Sequence, residues 1–166
     1  MLVIDMQNDF VTGVLGSEEA RKIVIPMRQR LQQAKCPIWF TMDTHGPDYA
    51  SDPEARHLPI PHCVEGTQGW AVVDALAPFW EKGEKISKPT FGSMELAKRV
   101  IGMPSLKKVE MMGVCTDICV VSNALLLKAA RPDLVITVDK ALCAGSSPAS
   151  HQAALDVMKS CHIDII

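Results

Sequence analysis

Short apolar segments alternate with longer helical segments along the whole chain, and this alternation restricts the possible folds more than any other feature. The apolar segments predict strands at residues 1–4, 37–42, 85–87, 108–112, 134–138 and 163–166. Helical composition and spacing predict helices at residues 17–34, 70–80, 93–101, 119–130 and 147–161. Because alternating strands and helices are typical of parallel sheets covered on both faces, we expect a three-layer α/β/α fold with a mostly parallel, about six-stranded sheet.

Length, composition and charge exclude several classes of protein. The chain has 166 residues, 48% of them hydrophobic and 22% charged, which is typical of one globular domain without repeats or linkers. A net charge of −2 argues against binding nucleic acid or a membrane surface, and no apolar run is long enough to span a bilayer. We expect a single domain over residues 1–166 in the cytoplasm, with a few residues missing before Met1.

The six cysteines are scattered through a chain of ordinary core composition. This distribution favours reduced thiols over a secreted disulfide framework. Cys115 and Cys119 are separated by three residues, a spacing that matches neither a redox C-x-x-C motif nor a zinc knuckle.

The segment Gly113–Val120 joins a predicted strand to a predicted helix. Thr116 is a good N-cap, so Cys119 is expected in the first turn of the helix. Backbone N–H groups and the helix dipole lower the pKa of a thiol at that place, and the thiolate is the nucleophilic form. Cys119 is therefore a candidate nucleophile, although a buried core cysteine gives the same pattern.

Two further chemical groups lie at predicted strand ends. Asp5 follows the first strand and Lys88 follows the third. The carboxyl ends of parallel strands meet at one edge, so both side chains can converge on Cys119. There a lysine favours the thiolate and a carboxylate can move the proton. The alternatives are that Asp5 caps a loop and that Lys88 is a solvated surface residue.

A long loop at residues 43–69 concentrates acids and histidines. Its candidate metal ligands are Asp43, His45, Glu54, His57 and His62. Carboxylate and imidazole groups suit Zn²⁺, Mn²⁺ or Fe²⁺, and an Asp-x-His pair presents both side chains on one face of an extended segment. The loop is therefore a candidate divalent-metal site, and polar loop histidines without a metal are the alternative.

Five motifs in order along the chain resemble the isochorismatase-like cysteine hydrolases, and within them the nicotinamidases (pyrazinamidases). These motifs are Ile4–Phe10, Asp43–His45, Pro61–Thr67, Lys88–Phe91 and Gly113–Val120. The resemblance implies a Rossmann-like fold of the isochorismatase type and a catalytic triad of Asp5, Lys88 and Cys119. It also implies an oxyanion hole from the amides of Cys115 and Cys119, and a cis peptide bond between Val114 and Cys115.

The resemblance also implies which residues hold the metal and the substrate. Asp43, His45 and His62 match the family's metal ligands. The fourth ligand varies among members: Ser51 occupies the position of a histidine, while Glu54 fits the position of an acid and is preferred here to His57. The implied substrate-binding residues are Phe10, Phe91, Val114 and Cys115. Pro59 and Phe91 replace a frequent tryptophan and tyrosine, so we expect a wider or more apolar pocket.

The implied activity is hydrolysis of nicotinamide, a small-molecule amide, to nicotinate and ammonia through a cysteine thioester, with a divalent metal, most simply zinc. One alternative is a metal-free relative acting on another small amide, ureido compound or vinyl ether. A second is a non-catalytic metal- or thiol-responsive protein. The resemblance also allows a homo-oligomer, but no segment of the sequence marks an interface.

Overall fold

Six parallel strands form one sheet in the computed structural model, which describes residues 1–166. The strands are β1 (Leu2–Ile4), β2 (Trp39–Asp43), β3 (Glu84–Lys88), β4 (Lys108–Val114), β5 (Val135–Ala144) and β6 (Asp164–Ile165). The helices are α1 (Asn8–Val11), α2 (Glu18–Gln32), α3 (Ala77–Lys82), α4 (Met94–Ile101), α5 (Val121–Ala130) and α6 (Pro148–Ser160). The predicted strand number and parallel sheet are confirmed.

The strand order β3-β2-β1-β4-β5-β6 places β1 between β2 and β4. From β1 the chain adds strands on one side as far as β3, then crosses to the other side at β4. The direction of winding thus reverses between β1 and β4. In open parallel sheets, ligands bind in the crevice outside the strand carboxyl ends at such a point.

The helices pack on both faces of the sheet. Leu2 and Ile4 of β1 face a core shared with α4, α5 and α6, whereas Val3 faces a core shared with α1 and α2. This alternation of successive side chains is the two-residue period of a strand. The predicted three-layer arrangement is confirmed.

Serine caps begin three of the helices. Ser93 accepts a hydrogen bond of 3.1 Å from the Leu96 amide at the start of α4, and the other two caps belong to α2 and α6. Ser17 accepts a hydrogen bond of 3.0 Å from the Ala20 amide at the start of α2, and Ser147 accepts one of 3.1 Å from Ser150 at the start of α6. These bonds satisfy amides that have no partner within the helix. The predicted starts of these helices are confirmed.

The helix predicted at residues 70–80 begins later than expected. Val72 pairs with Gln7 in an antiparallel bridge, and the Val73 amide donates to the Met6 carbonyl at 3.0 Å. These contacts use backbone groups that a helix would need for itself. The segment therefore turns helical only at a 3₁₀ turn, Asp74–Leu76, which leads into α3.

Strand β5 is longer than the predicted 134–138. After a register shift opposite Met111 and Gly113, Cys143 and Ala144 pair with the end of β4. Gly113 has φ +131°, and an added Cβ would overlap the Ile4 carbonyl oxygen of β1. Only glycine permits this close approach of β4 to β1. Across the fold, no helix combines the length and apolar character needed to cross a membrane.

Candidate active site

The structure brings the three predicted reactive side chains together at the carboxyl edge of the sheet. Asp5 follows β1, Lys88 ends β3 and Cys119 lies just beyond β4. The Lys88 Nζ is 2.6 Å from Asp5 Oδ2 and 3.4 Å from Cys119 Sγ. Asp5, Lys88 and Cys119 are 0%, 1% and 4% exposed. An acid, an amine and a thiol far apart in the sequence thus form one buried cluster.

The Asp5 carboxylate is held by strand β2. Asp5 has φ +48°, an uncommon conformation for a residue other than glycine. Its amide donates to the Thr41 carbonyl at 3.2 Å, and the Thr41 hydroxyl donates to Oδ1 at 2.6 Å. The ammonium of Lys88 lies 2.6 Å from Oδ2 and forms a buried ion pair with it. Oδ1 is therefore held by the Thr41 hydroxyl and Oδ2 by the Lys88 ammonium.

Cys119 lies in a π-helical turn, Thr116–Val120, in front of α5. The expected N-cap at Thr116 is wrong: Cys115 occupies that position, and the Thr116 hydroxyl contacts His151 Nδ1 at 2.8 Å. The Val120 amide donates to the Cys115 carbonyl at 3.0 Å, which closes the wider turn. Such π-turns are frequent at functional sites. The implied cis peptide bond between Val114 and Cys115 is present.

Burial is the largest influence on the pKa values of this cluster. It raises the pKa of the Cys119 thiol, as does the Asp5 charge, and together they outweigh the ammonium of Lys88. Lys88 lowers this pKa as expected, but the expectation of a low thiol pKa is wrong, because the net shift is upward. Burial opposes the charge on Lys88, but Asp5 and Cys119 raise its pKa. Burial also raises the pKa of the Asp5 carboxyl, although the ammonium of Lys88 opposes this shift.

A second group of polar side chains lies beside the first. Ligand atoms of Asp43, His45 and His62 all lie within 4.8 Å of one another. Asp43 Oδ2 is 3.1 Å from His45 Nε2 and 3.4 Å from His62 Nε2, while Oδ1 is 3.2 Å from Lys88 Nζ. Asp43 therefore connects the metal-ligand group to the triad.

Both imidazole rings are held through their other nitrogen. His45 Nδ1 contacts Asp52 Oδ2 at 2.8 Å, and His62 Nδ1 contacts the Ile60 carbonyl at 2.9 Å. These contacts direct both Nε2 atoms inward, an arrangement typical of metal-binding histidines. Asp52 was not among the residues predicted from the sequence. The available signal was that it is an acid in the same loop as the candidate ligands.

The structure distinguishes between Glu54 and His57 as the fourth candidate ligand. Glu54 Oε2 is 3.8 Å from His45 Nε2, and Oε1 is 3.7 Å from His62 Nε2. His57 is exposed, and the Ser51 hydroxyl donates to Asp48 instead of facing the group. Two 3₁₀ turns, Tyr49–Ser51 and Pro53–Arg56, contain Ser51 and Glu54, and His57 follows the second turn. The geometry favours Glu54.

Hydrogen bonds and charges couple the pKa values of the side chains in this group. Hydrogen bonding to Asp43 raises the pKa of His45 to about 9. Although burial opposes the charge on Asp43, hydrogen bonds from both histidines hold the pKa of this carboxyl below its usual range. Burial and the Asp43 charge raise the pKa of Glu54. Two carboxylates and two imidazoles in this arrangement suit a divalent metal ion.

A cavity of about 360 Å³ opens onto both groups. Cys119 lines it, as do Asp43, Glu54 and His62 from the metal-ligand group. All four predicted substrate-binding residues also line the cavity: Phe10, Phe91, Val114 and Cys115. Much of the remaining wall is apolar, including Leu15, Leu58 and Ile118. A small molecule in this cavity would contact the thiol and the metal ligands together.

Comparison with known proteins extends over the whole chain. The isochorismatase domain model matches residues 1–166. The pyrazinamidase/nicotinamidase of Streptococcus mutans UA159 is 29% identical, with a TM-score of 0.87 over 99% of this chain and 98% of the other. A pyrazinamidase of Pyrococcus horikoshii in complex with zinc is 30% identical, with a TM-score of 0.82 over 99% and 96%. The N-carbamoylsarcosine amidase of Thermoplasma acidophilum is 25% identical, with a TM-score of 0.78 over 99% and 92%.

Proposed function

The chain belongs to the isochorismatase family of hydrolases, and from that premise we propose that it hydrolyses nicotinamide to nicotinate and ammonia, with Cys119 as the nucleophile. The observation that carries the proposal is the shared cavity, which is lined by Cys119 on one side and by a metal-ligand group on the other. We further propose that residues 1–166 act as one hydrolase domain.

The first half of the reaction uses the Asp5 carboxylate as the proton acceptor. When the carboxamide enters the cavity, Asp5 Oδ2 accepts the Cys119 proton and Sγ attacks the amide carbon. Lys88 stays protonated beside the new thiolate. The amides of Cys115 and Cys119 donate to the oxyanion, and such donors are worth about 3–4 kcal/mol each in other enzymes.

The second half returns the proton and releases the acid. Asp5 gives its proton to the departing nitrogen as the carbon–nitrogen bond breaks, which yields ammonia and a thioester to Cys119. Asp5 then accepts a proton from water, whose oxygen attacks the thioester carbon. The carbon–sulfur bond breaks, and the thiolate recovers the proton from Asp5. The other water proton leaves the new carboxylic acid for ammonia, which gives nicotinate, ammonium and the resting thiol.

A divalent metal ion fits the second group of residues. Both Nε2 atoms and two carboxylates face one point, and both Nδ1 atoms already have partners. We propose Asp43, His45, Glu54 and His62 as ligands, with zinc as the first candidate and manganese or iron as the others. When bound, the metal supplies a Lewis-acid site for the pyridine nitrogen. The four residues then orient the carboxamide toward Cys119.

Ammonia release from nicotinamide is the test, measured on the purified protein before and after chelation, together with elemental analysis. We expect turnover with a Michaelis constant near cellular nicotinamide levels, about one metal ion per chain, and loss of turnover on chelation with recovery on metal return. Equal turnover at full metal content and after complete removal would contradict the role of the metal. An absence of ammonia release from the metal-loaded protein would contradict the substrate.

Another small amide or ureido compound is the second candidate substrate. The observation in its favour is the similarity to the N-carbamoylsarcosine amidase of Thermoplasma acidophilum. The same assay with N-carbamoylsarcosine and with simple alkyl amides separates the two. A higher kcat/KM for one of these than for nicotinamide would favour the second candidate.

A non-catalytic thiol-responsive protein is disfavoured by the surroundings of Cys119. That role requires no buried lysine and carboxylate, yet Lys88 lies 3.4 Å from Sγ and 2.6 Å from Asp5. Burying this charged pair is costly, and a redox pair of cysteines would not need it.

A further inference from the structure

One buried amide joins the turn that contains Cys119 to the segment that follows Lys88. The Asn123 side chain is 0% exposed and lies one helical turn beyond Cys119. Its Nδ2 donates to the Cys119 carbonyl at 2.8 Å and to the Phe91 carbonyl at 2.9 Å. Its Oδ1 accepts a hydrogen bond from the Ser93 amide at 2.9 Å. Both amide protons and the carbonyl oxygen are therefore used.

The two joined segments belong to different strand ends. Residues 88–93 connect β3 to α4, and this segment begins with Lys88 of the cluster and includes Phe91 of the cavity wall. Residues 116–120 form the turn of Cys119 between β4 and α5. Because β3 and β4 are separated by β2 and β1 in the sheet, no strand pairing holds these segments in register.

Asparagine is a poor choice for helix formation at this position. Its neighbours in α5 are mainly leucine, alanine and valine, and the interior of a helix disfavours asparagine relative to them. An apolar side chain would leave the Phe91 carbonyl and the Ser93 amide without the donor and acceptor they now have. Unpaired buried groups of this kind are costly. The residue is therefore explained by its three contacts and not by the helix.

We propose that Asn123 is a positioning residue that fixes the Cys119 sulfur and the Phe91 wall of the cavity relative to each other. The inference rests on the proposed function, because it assumes that Cys119 is the nucleophile. The bond to Cys119 holds the turn of the nucleophile, and the bonds to Phe91 and Ser93 hold the cavity wall. Loss of the bond to Cys119 affects the chemical step, whereas loss of the bonds to Phe91 and Ser93 affects substrate binding.

Two variants separate these contacts, and a third serves as a control. Asn123→Ala removes all three bonds. Asn123→Thr retains a hydroxyl that can donate to the carbonyl four residues earlier, which is Cys119, but is too short to serve Phe91 and Ser93. Leu127→Val is the matched control, since Leu127 is buried one turn further along α5 and has no polar group. Steady-state kinetics are measured per folded molecule, at a temperature where circular dichroism shows all four proteins folded.

We expect Asn123→Ala to lower kcat by about 10- to 100-fold, the cost of a misplaced reacting group, and to raise KM. Asn123→Thr should raise KM while kcat stays near the wild-type value, and Leu127→Val should change neither. Hydrogen exchange followed by mass spectrometry supplies a readout without substrate. Exchange should accelerate in residues 88–93 and 116–120 for Asn123→Ala, and in residues 88–93 alone for Asn123→Thr.

Unchanged exchange in both segments of Asn123→Ala would overturn the proposal. Faster exchange with wild-type kcat and KM would also overturn it, because the contacts would then serve stability alone. If the wild-type protein releases no ammonia from nicotinamide, the proposed substrate fails, while the exchange data still decide whether Asn123 joins the two segments.

Discussion

The triad and the metal-ligand group are adjacent, yet they are constructed differently. Asp5, Lys88 and Cys119 lie at or next to the ends of strands whose spacing is set by the parallel sheet. In the metal-ligand group only Asp43 lies on a strand, and the loop residues are held by hydrogen bonds such as the one between His45 and Asp52. The sheet therefore brings Asp5, Lys88 and the start of the Cys119 turn to one edge, while polar contacts between loop residues place most of the metal-ligand group.

This difference leads to different expected responses to mutation. A change in the triad removes chemistry or leaves a buried charge without a partner. A change around the loop ligands weakens a binding site but leaves the sheet intact. Asp43 is the exception, because its two oxygens contact Lys88 and the histidines.

Cys119→Ala gives the largest expected effect. Removal of a nucleophile lowers kcat by a factor on the order of 10⁴ or more, because the covalent route is lost. Ammonia release measures turnover, and elemental analysis measures metal content, which should stay at the wild-type level. Cys143→Ala is the matched control, since Cys143 is buried in β5 and belongs to neither group. Near-native turnover in Cys119→Ala would refute the nucleophile.

Lys88→Met should have the largest effect on stability. It leaves the Asp5 and Asp43 carboxylates buried without their ammonium partner, and removing one partner of a buried pair costs about 3–5 kcal/mol. Urea unfolding measures the loss. The double variant Asp5→Asn, Lys88→Met should recover part of it, since only Asp43 then lacks its partner. A double variant no more stable than Lys88→Met would indicate that the pair is not coupled.

Asp52→Asn should affect metal affinity without unfolding the protein. Loss of an outer carboxylate on a metal-binding histidine typically costs about 10- to 100-fold in metal affinity or activity. Competition with a chelating dye measures the affinity. Asp48→Asn is the control, because Asp48 lies in the same loop and bonds only Ser51 among the side chains. Equal affinities in the two variants would remove Asp52 from the site.

The smallest expected effect is a pH dependence of the stability, caused by His151. Its imidazole contacts Thr116 in the turn that contains Cys119. Burial lowers the pKa of His151 below its ordinary 6.5, while the charge of Asp117 opposes the shift. The unfolded chain then takes up the proton first as pH falls, so stability decreases as pH falls below about 6.5. Because the imidazole is partly exposed, the change is less than about 1 kcal/mol. His151→Gln should flatten the dependence of the urea midpoint on pH, and an unchanged slope would contradict this assignment.

The sequence was sufficient to predict the residues of the cluster that the sheet positions. Strand ends made Asp5, Lys88 and Cys119 candidates, because parallel strands align their ends, and the family resemblance then joined them into one predicted triad. The choice between Glu54 and His57 could not be made that way, because it depends on the 3₁₀ turns of the loop. A polar residue one turn after Cys119 in an apolar helix was a signal for Asn123 that the interpretation did not use.

Electrostatics was the least predictable property. The direction of the pKa shift of Cys119 was wrong because burial and the Asp5 charge depend on the folded surroundings. Similarly, Thr116 has the composition of an N-cap, but its hydroxyl contacts His151, which lies 35 positions away. Local patterns predict elements and their ends, whereas the charge state of a side chain follows from everything packed around it.

Gly113 permits the close approach of β4 to β1 beside the candidate active site. At this point β4 runs so close to β1 that any side chain would push Ile4 away, and with it the residue that follows Ile4 in the chain. Cavity-lining positions such as Phe91 can change and select a new substrate. Position 113 has no such freedom, because even a single methyl group there would overlap the backbone of Ile4, the residue before Asp5. Substitutions in the cavity wall can therefore change the specificity, whereas a substitution of Gly113 would disrupt the backbone contact between β4 and β1.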